Sequence, residues 1–394
     1  MQALAGRKDA ECPKIQGPAR AKLSKPDNRP SPVIPLWKIK RELTRLSVQA
    51  RAIPLAFYEP FVQRRHDASR PTEITATKGT LAATSKLAIF LIYQPDGVAS
   101  SVLTTCRHLI DNGFAPVVVS NAPLSDKDRE NLSETACLVV ERPNFGYDFG
   151  GYRDGLWVLD RQNLSPDHIL FLNDSIWFPA TQSATTLNDM TTSHADFVGL
   201  QAFGNLNATG RKRGFFASYC LLLKRPLIDH AAFKDFWASY RMSSNKEVTL
   251  RRGERAFSWA MFNTGLPAHA LFSLEIYHDC IDTLPRSDLT QALADLVVVN
   301  PTLNERRNAL VASSKDDAFE DAARVLLKDA ARTKNYIGAS PIVALTSLGL
   351  PVIKKNNEHL YVLAREKISE AHANGRLPDL HSEVAEELER KLRR

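Results

Sequence analysis

The chain has 394 residues, 44% apolar, 8% aromatic and 24% charged, which excludes a disordered or fibrous protein and leaves ample apolar material for a core. Its net charge of +7 is unevenly held: residues 1–70 carry 15 Lys/Arg against 6 Asp/Glu, and the remainder carries 36 against 38. A nearly neutral body argues against nucleic acid as a partner, because neutralising phosphates requires basic residues spread over the folded surface.

Residues 1–35 hold six prolines among alternating charges, too little apolar material to offset ordering entropy, so they read as a flexible basic arm. The arm lacks the apolar centre of a secretory signal. Over 36–53, Ile39, Leu43, Leu46, Ala50 and Ile53 recur at helical spacing while Lys38, Lys40, Arg41, Arg45 and Arg51 fill other positions. This predicts a basic amphipathic helix. Two uses are open: contact with an anionic inner-membrane surface, at about 1 kcal/mol per basic residue, or docking of its apolar stripe on the main domain. A linker over Pro71–Ser85 completes a segment 36–85. The longest clean apolar run, Leu87–Tyr93, has strand length and falls far short of the roughly 20 residues that span a bilayer. No transmembrane helix is expected, and the chain is placed in the cytoplasm, at most peripheral to the inner membrane's cytoplasmic face.

Residues 86–285 are read as one domain. Short apolar runs at 87–93, 115–120, 137–142, 168–173, 196–201 and 216–223 alternate with helical patterns at 98–112, 126–134, 149–161 and 182–193. The alternation predicts an α/β fold, an open, mainly parallel sheet with helices on both faces. Asn112-Gly113 marks the stop of the first helix. Ligands of such sheets gather at strand carboxyl ends, so the loops after Tyr93, Ser120, Arg142 and Asn173 are the places to look for chemistry. Further helices are predicted near 226–240, 254–264, 285–297, 317–332, 341–349, 357–373 and 380–393, so 286–394 reads as a helical C-terminal extension. In the last helix, Glu386/Arg390, Glu387/Lys391 and Glu389/Arg393 stand at pairing distance. The five scattered cysteines have no metal-site spacing; Cys106, Cys137 and Cys220 lie among apolar neighbours and read as small buried hydrophobes.

Two stretches concentrate chemistry. The first, Arg142-Pro-Asn144-Phe-Gly146-Tyr-Asp148-Phe-Gly150-Gly151-Tyr-Arg153-Asp154-Gly155, follows a predicted strand and opens a helix. Its glycines would let backbone amides approach an anion such as a diphosphate at the helix N-terminus; equally, it is a tight strand-to-helix turn with Asp148 as N-cap. The second, Leu172-Asn173-Asp174-Ser175, ends an apolar strand in three small polar residues. Asp174 either ligates Mg²⁺ or Mn²⁺ against a diphosphate or caps the next turn. Aromatics at Trp157, Trp177, Phe215, Phe216, Trp237 and Trp259 read mostly as core, with Phe215-Phe216 following a Gly/Asn/basic loop, Asn205–Gly214, that has the makeup of a lid.

The run Asn144-Phe-Gly-Tyr-Asp-Phe-Gly-Gly-Tyr-Arg-Asp-Gly, then Leu172-Asn-Asp-Ser and Asp196-Phe-Val-Gly-Leu, resembles the rhamnan synthesis F family of bacterial polysaccharide biosynthesis over about residues 86–300, with a weaker echo at Asn300-Pro-Thr and Leu348-Gly-Leu-Pro-Val-Ile-Lys. The resemblance implies a GT-A-like glycosyltransferase that moves a sugar, rhamnose or another deoxyhexose, from a nucleoside-diphosphate sugar to a glycan or lipid-linked glycan acceptor. On that basis Asn144, Gly146, Asp148, Gly150, Gly151, Arg153, Asn173, Asp174 and Ser175 are expected at the sugar nucleotide, with Arg153 countering phosphate charge. Asp174 and His278 are the candidate ligands for Mg²⁺ or Mn²⁺. Glu254 resembles the family's glutamate at this point and is the candidate general base, with Asp148 and Asp154 competing and Asp148 favoured for the nucleotide; capping its own helix is the other reading of Glu254. The alternative function is a non-catalytic scaffold subunit that binds the glycan or the sugar nucleotide.

Overall fold

The computed structural model describes residues 58–210 and 213–393; the predicted arm and the amphipathic helix over 36–53 lie outside them. Residues 58–73 form helix α1, followed by the edge strand β1 (Thr75–Lys78). Then come β2 (Lys86–Ile92), α2 (Ser100–Asp111), β3 (Ala115–Ser120), α3 (Asp126–Glu134), β4 (Leu138–Glu141), α4 (Tyr147–Arg161), β5 (His168–Asn173), β6 (Ile176–Trp177), α5 (Thr186–Thr192) and β7 (Phe197–Phe203). After them the chain runs through β8 (Phe215–Phe216), β9 (Cys220–Lys224), α6 (Arg225–Ile228), α7 (Ala231–Ser239), α8 (Lys246–Thr249), a π-helical turn (Leu250–Arg255), α9 (Ala256–Phe262), β10 (Ala268–Phe272) and α10 (Leu274–Thr283). The last elements are α11 (Arg286–Ala294), α12 (Pro301–Ala312), α13 (Phe319–Lys334), α14 (Tyr336–Ala339), α15 (Pro341–Leu345), β11 (Ile353–Lys354), α16 (His359–Ala373) and α17 (Ser382–Leu392).

The main sheet has the order β1-β4-β3-β2-β5-β9-β7-β10, with β8 paired to β7. The strands β4, β3, β2 and β5 are mutually parallel, as are β7 and β10, while β9 and β1 run against their neighbours. The sheet is therefore mixed and mainly parallel. β2 and β3 are buried along almost their whole length, the pattern of strands covered on both faces. One face carries a core of Phe90, Val102, Val118 and Leu172 with α2, α10, α11 and α13. The other carries Ile89, Val119, Tyr152, Phe171 and Phe257 with α4, α7 and α9.

The glycines of α4 serve this packing. A Cβ on Gly151 would lie 2.3 Å from Leu91 Cδ1, and one on Gly155 2.7 Å from Ile89 Cγ2, so α4 sits against β2 only without side chains there. Gly150 is likewise closed off, its Cβ position 2.2 Å from the Phe145 carbonyl oxygen. Both glycines thus serve packing, and the Gly150 amide donates to the Gly146 carbonyl at 2.9 Å. Gly146 is different: at φ 86° it is the left-handed N-cap of α4, which moves the cap two residues upstream of Asp148.

Several boundaries also shift. The expected linker contains the end of α1 and β1, a short, exposed edge strand without the alternation that reveals a half-buried one. The predicted strand 216–223 divides into β8 and β9, and the predicted helix 226–240 into α6 and α7. β10, α10 and α12 were not predicted. The described C-terminal helices are no separate body, since all described residues belong to one compact unit. β11 pairs with β6, and α17 sends Glu387 to α2 in place of an i,i+4 pair with Lys391. Glu387 Oε1 accepts from the Ser101 amide at 2.7 Å, and its Oε2 from Trp177 Nε1 at 2.8 Å, supplying the cap that Ala99 lacks. The Glu389–Arg393 pair forms at 3.2 Å. Cys106, Cys137 and Cys220 are buried as expected, and burial raises all three thiols, Cys106 to about 12. Among the described residues no helix is long and apolar enough to cross a membrane.

Candidate functional site

From β2 the chain steps to β3 and β4 on one side, then returns to place β5 on β2's other side. Connections on the two sides of β2 therefore diverge and open a crevice above its carboxyl end, the place where open α/β sheets take ligands. Asp174, just past β5, occupies it. Its amide donates to the Leu91 carbonyl at 3.0 Å, and its Oδ2 accepts from the Tyr93 amide at 2.8 Å and Gln94 Nε2 at 2.7 Å. The carboxylate joins the two strand ends across the switch point.

Asn173 organises the next layer. Its Oδ1 accepts from the amide and hydroxyl of Ser175 at 3.1 and 2.6 Å, and its Nδ2 donates to Asp148 Oδ2 at 3.0 Å and the Tyr152 hydroxyl oxygen at 3.2 Å. Tyr152 in turn donates to the Ser218 carbonyl at 2.9 Å, and the Ser218 amide donates to Glu254 Oε1 at 2.7 Å. Glu254 therefore does not cap its own helix. The π-helical turn aims it at the start of β9. Asn173 thus links the first motif to the second and, through Tyr152 and Ser218, to Glu254.

Asp148, Asp174 and Glu254 are each half-buried. Burial raises all three acids. Asp148 reaches about 7, with the charges of Asp174 and Glu254 adding to burial and Lys354 and Lys246 opposing it. For Asp174, burial outweighs the opposing charge of Lys355 and the Gln94 hydrogen bond; for Glu254, it outweighs the Ser218 bonds and Lys354. Lys354, with Nζ 3.6 Å from the Tyr219 ring centre, is lowered to about 8 by burial against the pull of Glu254 and Asp148. Three acids raised by burial and two ammonium groups, crowded at a strand switch point, form an arrangement suited to proton transfer and to binding hydroxyl-rich ligands.

The sequence reading missed Lys354 and Lys355. They lie far along the chain, and only the antiparallel pairing of β11 with β6 brings them beside the crevice. It also missed Tyr93, exposed at the crevice rim. The run Val352-Ile-Lys-Lys carried a signal, two cations closing an apolar strand-like stretch.

Other expected residues are placed elsewhere. Asp154 is fully buried and cannot reach a substrate. Its Oδ1 accepts from Arg70 Nε at 2.9 Å, and its Oδ2 from Arg142 Nε at 2.6 Å, with His66 Nε2 2.9 Å away. It pins α1 and the strand-to-helix turn onto α4. Arg153 is spent on Asp67, at 3.0 Å for one of its two bonds, rather than on a phosphate. Asn144 is exposed on the turn. In the lid-like loop Asn205–Gly214, Arg213 donates to Asn263 Oδ1 at 2.8 Å and covers the Phe262 ring, while residues 211 and 212 lie outside the described residues. The aromatic residues are mostly core, Trp177 and Phe216 almost wholly so.

His278 sits on α10 facing Lys328 and Arg332 of α13, which add to burial in lowering it, whereas Asp174 is engaged with Tyr93, Gln94 and Lys355. The two do not form a ligand pair. Among the described residues no three His, Cys, Asp or Glu side chains converge on a metal position; a Mg²⁺ or Mn²⁺ held by one carboxylate, water and a diphosphate needs no such cluster.

The family model described as rhamnan synthesis protein F matches residues 116–369. A protein of Sinorhizobium fredii (strain NBRC 101917 / NGR234), described as uncharacterized protein y4gN, is 27% identical over 355 residues, covering 89% of this chain and 91% of that protein.

Proposed function

This chain belongs to the rhamnan synthesis protein F family and so to polysaccharide (rhamnan) biosynthesis, and from that premise we propose that it is a glycosyltransferase moving rhamnose or another deoxyhexose from a nucleoside-diphosphate sugar to a growing glycan. The observation that carries the proposal is the convergence of Asp148, Asp174 and Glu254 at the β2/β5 switch point, with Asp148 raised to about 7. Asp148 and Asp174 accept hydrogen bonds from sugar hydroxyls. Glu254, whose raised pKa makes it a stronger base than a free carboxylate, takes the proton of the acceptor hydroxyl. The acceptor oxygen bonds to the anomeric carbon as the glycosyl–phosphate bond breaks, and the nucleoside diphosphate leaves with the bonding electron pair. Lys354 and Lys355 offset the charge that develops on the phosphate. No step is assigned to a metal.

In this reading the chain works in the cytoplasm on a lipid-linked acceptor, and residues 36–53 hold it to the inner-membrane surface; loss of vesicle binding on deleting that segment tests the attachment. The activity is tested by offering the purified full chain UDP-, GDP- and dTDP-sugars with a rhamnan oligosaccharide and following transfer by mass. Glu254→Gln is expected to keep donor binding and to lose roughly 10²–10⁴-fold in turnover. Donor binding without transfer to any acceptor would assign the chain to a binding subunit instead, and absence of donor binding would defeat both readings.

A further inference from the structure

Beside the acidic crevice lies a cavity of about 750 Å³, walled by the Gln94–Ala99 loop after β2 and by Lys355, Arg365 and Arg390. Gln94 and Lys355 also neighbour Asp174, so cavity and crevice share a wall. The volume is that of a small-molecule site.

The cavity's charges are unequally satisfied. Arg365 is only 2% exposed; its Nη1 donates to the carbonyls of Lys354 and Asn356 at 3.1 and 2.7 Å, and its buried Nε has no partner. Among the described residues none of Arg365, Lys355 and Arg390 forms a direct ion pair; Asp174 and Glu387 act on Lys355, and Glu366 on Arg365, from farther off, and a buried guanidinium without a hydrogen-bonded counter-charge is costly to keep. Two acids on the same wall are already committed to protein donors. Glu387 accepts from the Ser101 amide, the Ser101 hydroxyl and Trp177 Nε1, and Asp128 accepts from the Val98 amide at 3.2 Å and the Ser125 hydroxyl at 2.7 Å. Asp96 lines the wall as well. Glu387 also occupies the amide end of α2, so counter-charge for an anion comes from side chains.

We propose that this cavity is a diphosphate-binding subsite, in which Lys355, Arg365 and Arg390 hold the phosphates of a ligand whose sugar end extends past Gln94 into the crevice. The inference rests on the glycosyltransferase reading and divides its site by charge: an anion avoids the three crevice acids and enters the neighbouring basic cavity, where guanidinium forks match phosphate oxygens. The ligand is either the nucleoside-diphosphate donor or a lipid-diphosphate acceptor, which carry the same group.

Calorimetry on the full chain separates these cases, with inorganic diphosphate, a nucleoside diphosphate and a short prenyl diphosphate as probes. The wild type should bind inorganic diphosphate, and Arg390→Glu, an exposed change on α17, should weaken it at least tenfold with unchanged thermal unfolding; Arg365→Met should do the same if it folds. A matching loss for the nucleoside diphosphate alone identifies the donor, and for the prenyl diphosphate alone the acceptor. Diphosphate binding that depends on Arg390 in a chain without transferase activity would keep the subsite and defeat the transferase reading. Sugar transfer with an unchanged KM in Arg390→Glu, or no diphosphate binding by the wild type, would overturn the subsite.

Discussion

Replacing Asp148 with Asn should stabilise the protein while removing its activity, and the size of the gain should depend on pH. The carboxyl is raised from an ordinary 3.8 to about 7 by burial and by Asp174 and Glu254. A raised folded pKa means that folding tolerates the protonated acid and resists its ionisation: the penalty is absent below about pH 4, grows as the unfolded acid ionises, and is complete above about pH 7. A shift of about three units is worth about 4 kcal/mol at 1.4 kcal/mol per unit, and water in the half-open crevice reduces this to about 2–4 kcal/mol. Asn keeps the shape and still offers an oxygen to Asn173 Nδ2, so little packing is lost. Urea unfolding of Asp148→Asn and wild type at about pH 8 and about pH 4 measures the difference. A gain of about 2–4 kcal/mol at the higher pH that nearly vanishes at the lower supports the crowding of carboxylates at the crevice. An equal difference at both values, or a less stable variant at the higher pH, would falsify it.

Asp154 should behave in the opposite way. Burial alone would raise it, but the hydrogen bond from His66 and the charges of Arg142 and Arg70 bring it down to about 2, so its contribution is present above about pH 4 and lost as pH falls through about 2. Asp154→Asn leaves Arg142 and Arg70 without their shared counter-charge and should cost about 3–5 kcal/mol in urea unfolding near neutral pH; a cost under 1 kcal/mol would show that the cluster does not hold α1 in place. Gly151→Ala places a methyl 2.3 Å from Leu91 Cδ1 and should cost about 1–3 kcal/mol by overpacking. If it unfolds at the wild-type urea midpoint, α4 does not sit as closely on β2 as described.

Much of the sheet was legible. The strands β2, β3 and β5 read as continuous apolar runs because both of their faces are covered, and α2, α3 and α4 fall within a few residues of their predicted spans. Elements that failed to read had weak local signatures. β1 is four exposed residues whose pairing comes from β4, and α12 has no buried residue and hence no apolar stripe. The candidate site was legible as two motifs, since small polar residues closing an apolar strand stand out, and Asn173 and Asp148 do meet. The roles of Asp154 and Arg153 were not legible, because their partners Arg70, His66 and Asp67 lie more than 80 positions away.

The sequence by itself determined the α/β class, the strand ends at which chemistry gathers and the two motifs that resemble a family, because periodicity and residue type are local properties of the chain. Only the tertiary structure decided which acids face the crevice and which is sealed in the core. It showed that the glycines of α4 serve packing against β2, and it brought Lys354 and Lys355 from the end of β11, and Arg365 and Glu387 from the last two helices, to the mouth of β2. Those outcomes depend on burial and long-range charge, which arise when distant segments share one low-dielectric space, and residue spacing along the chain does not encode them.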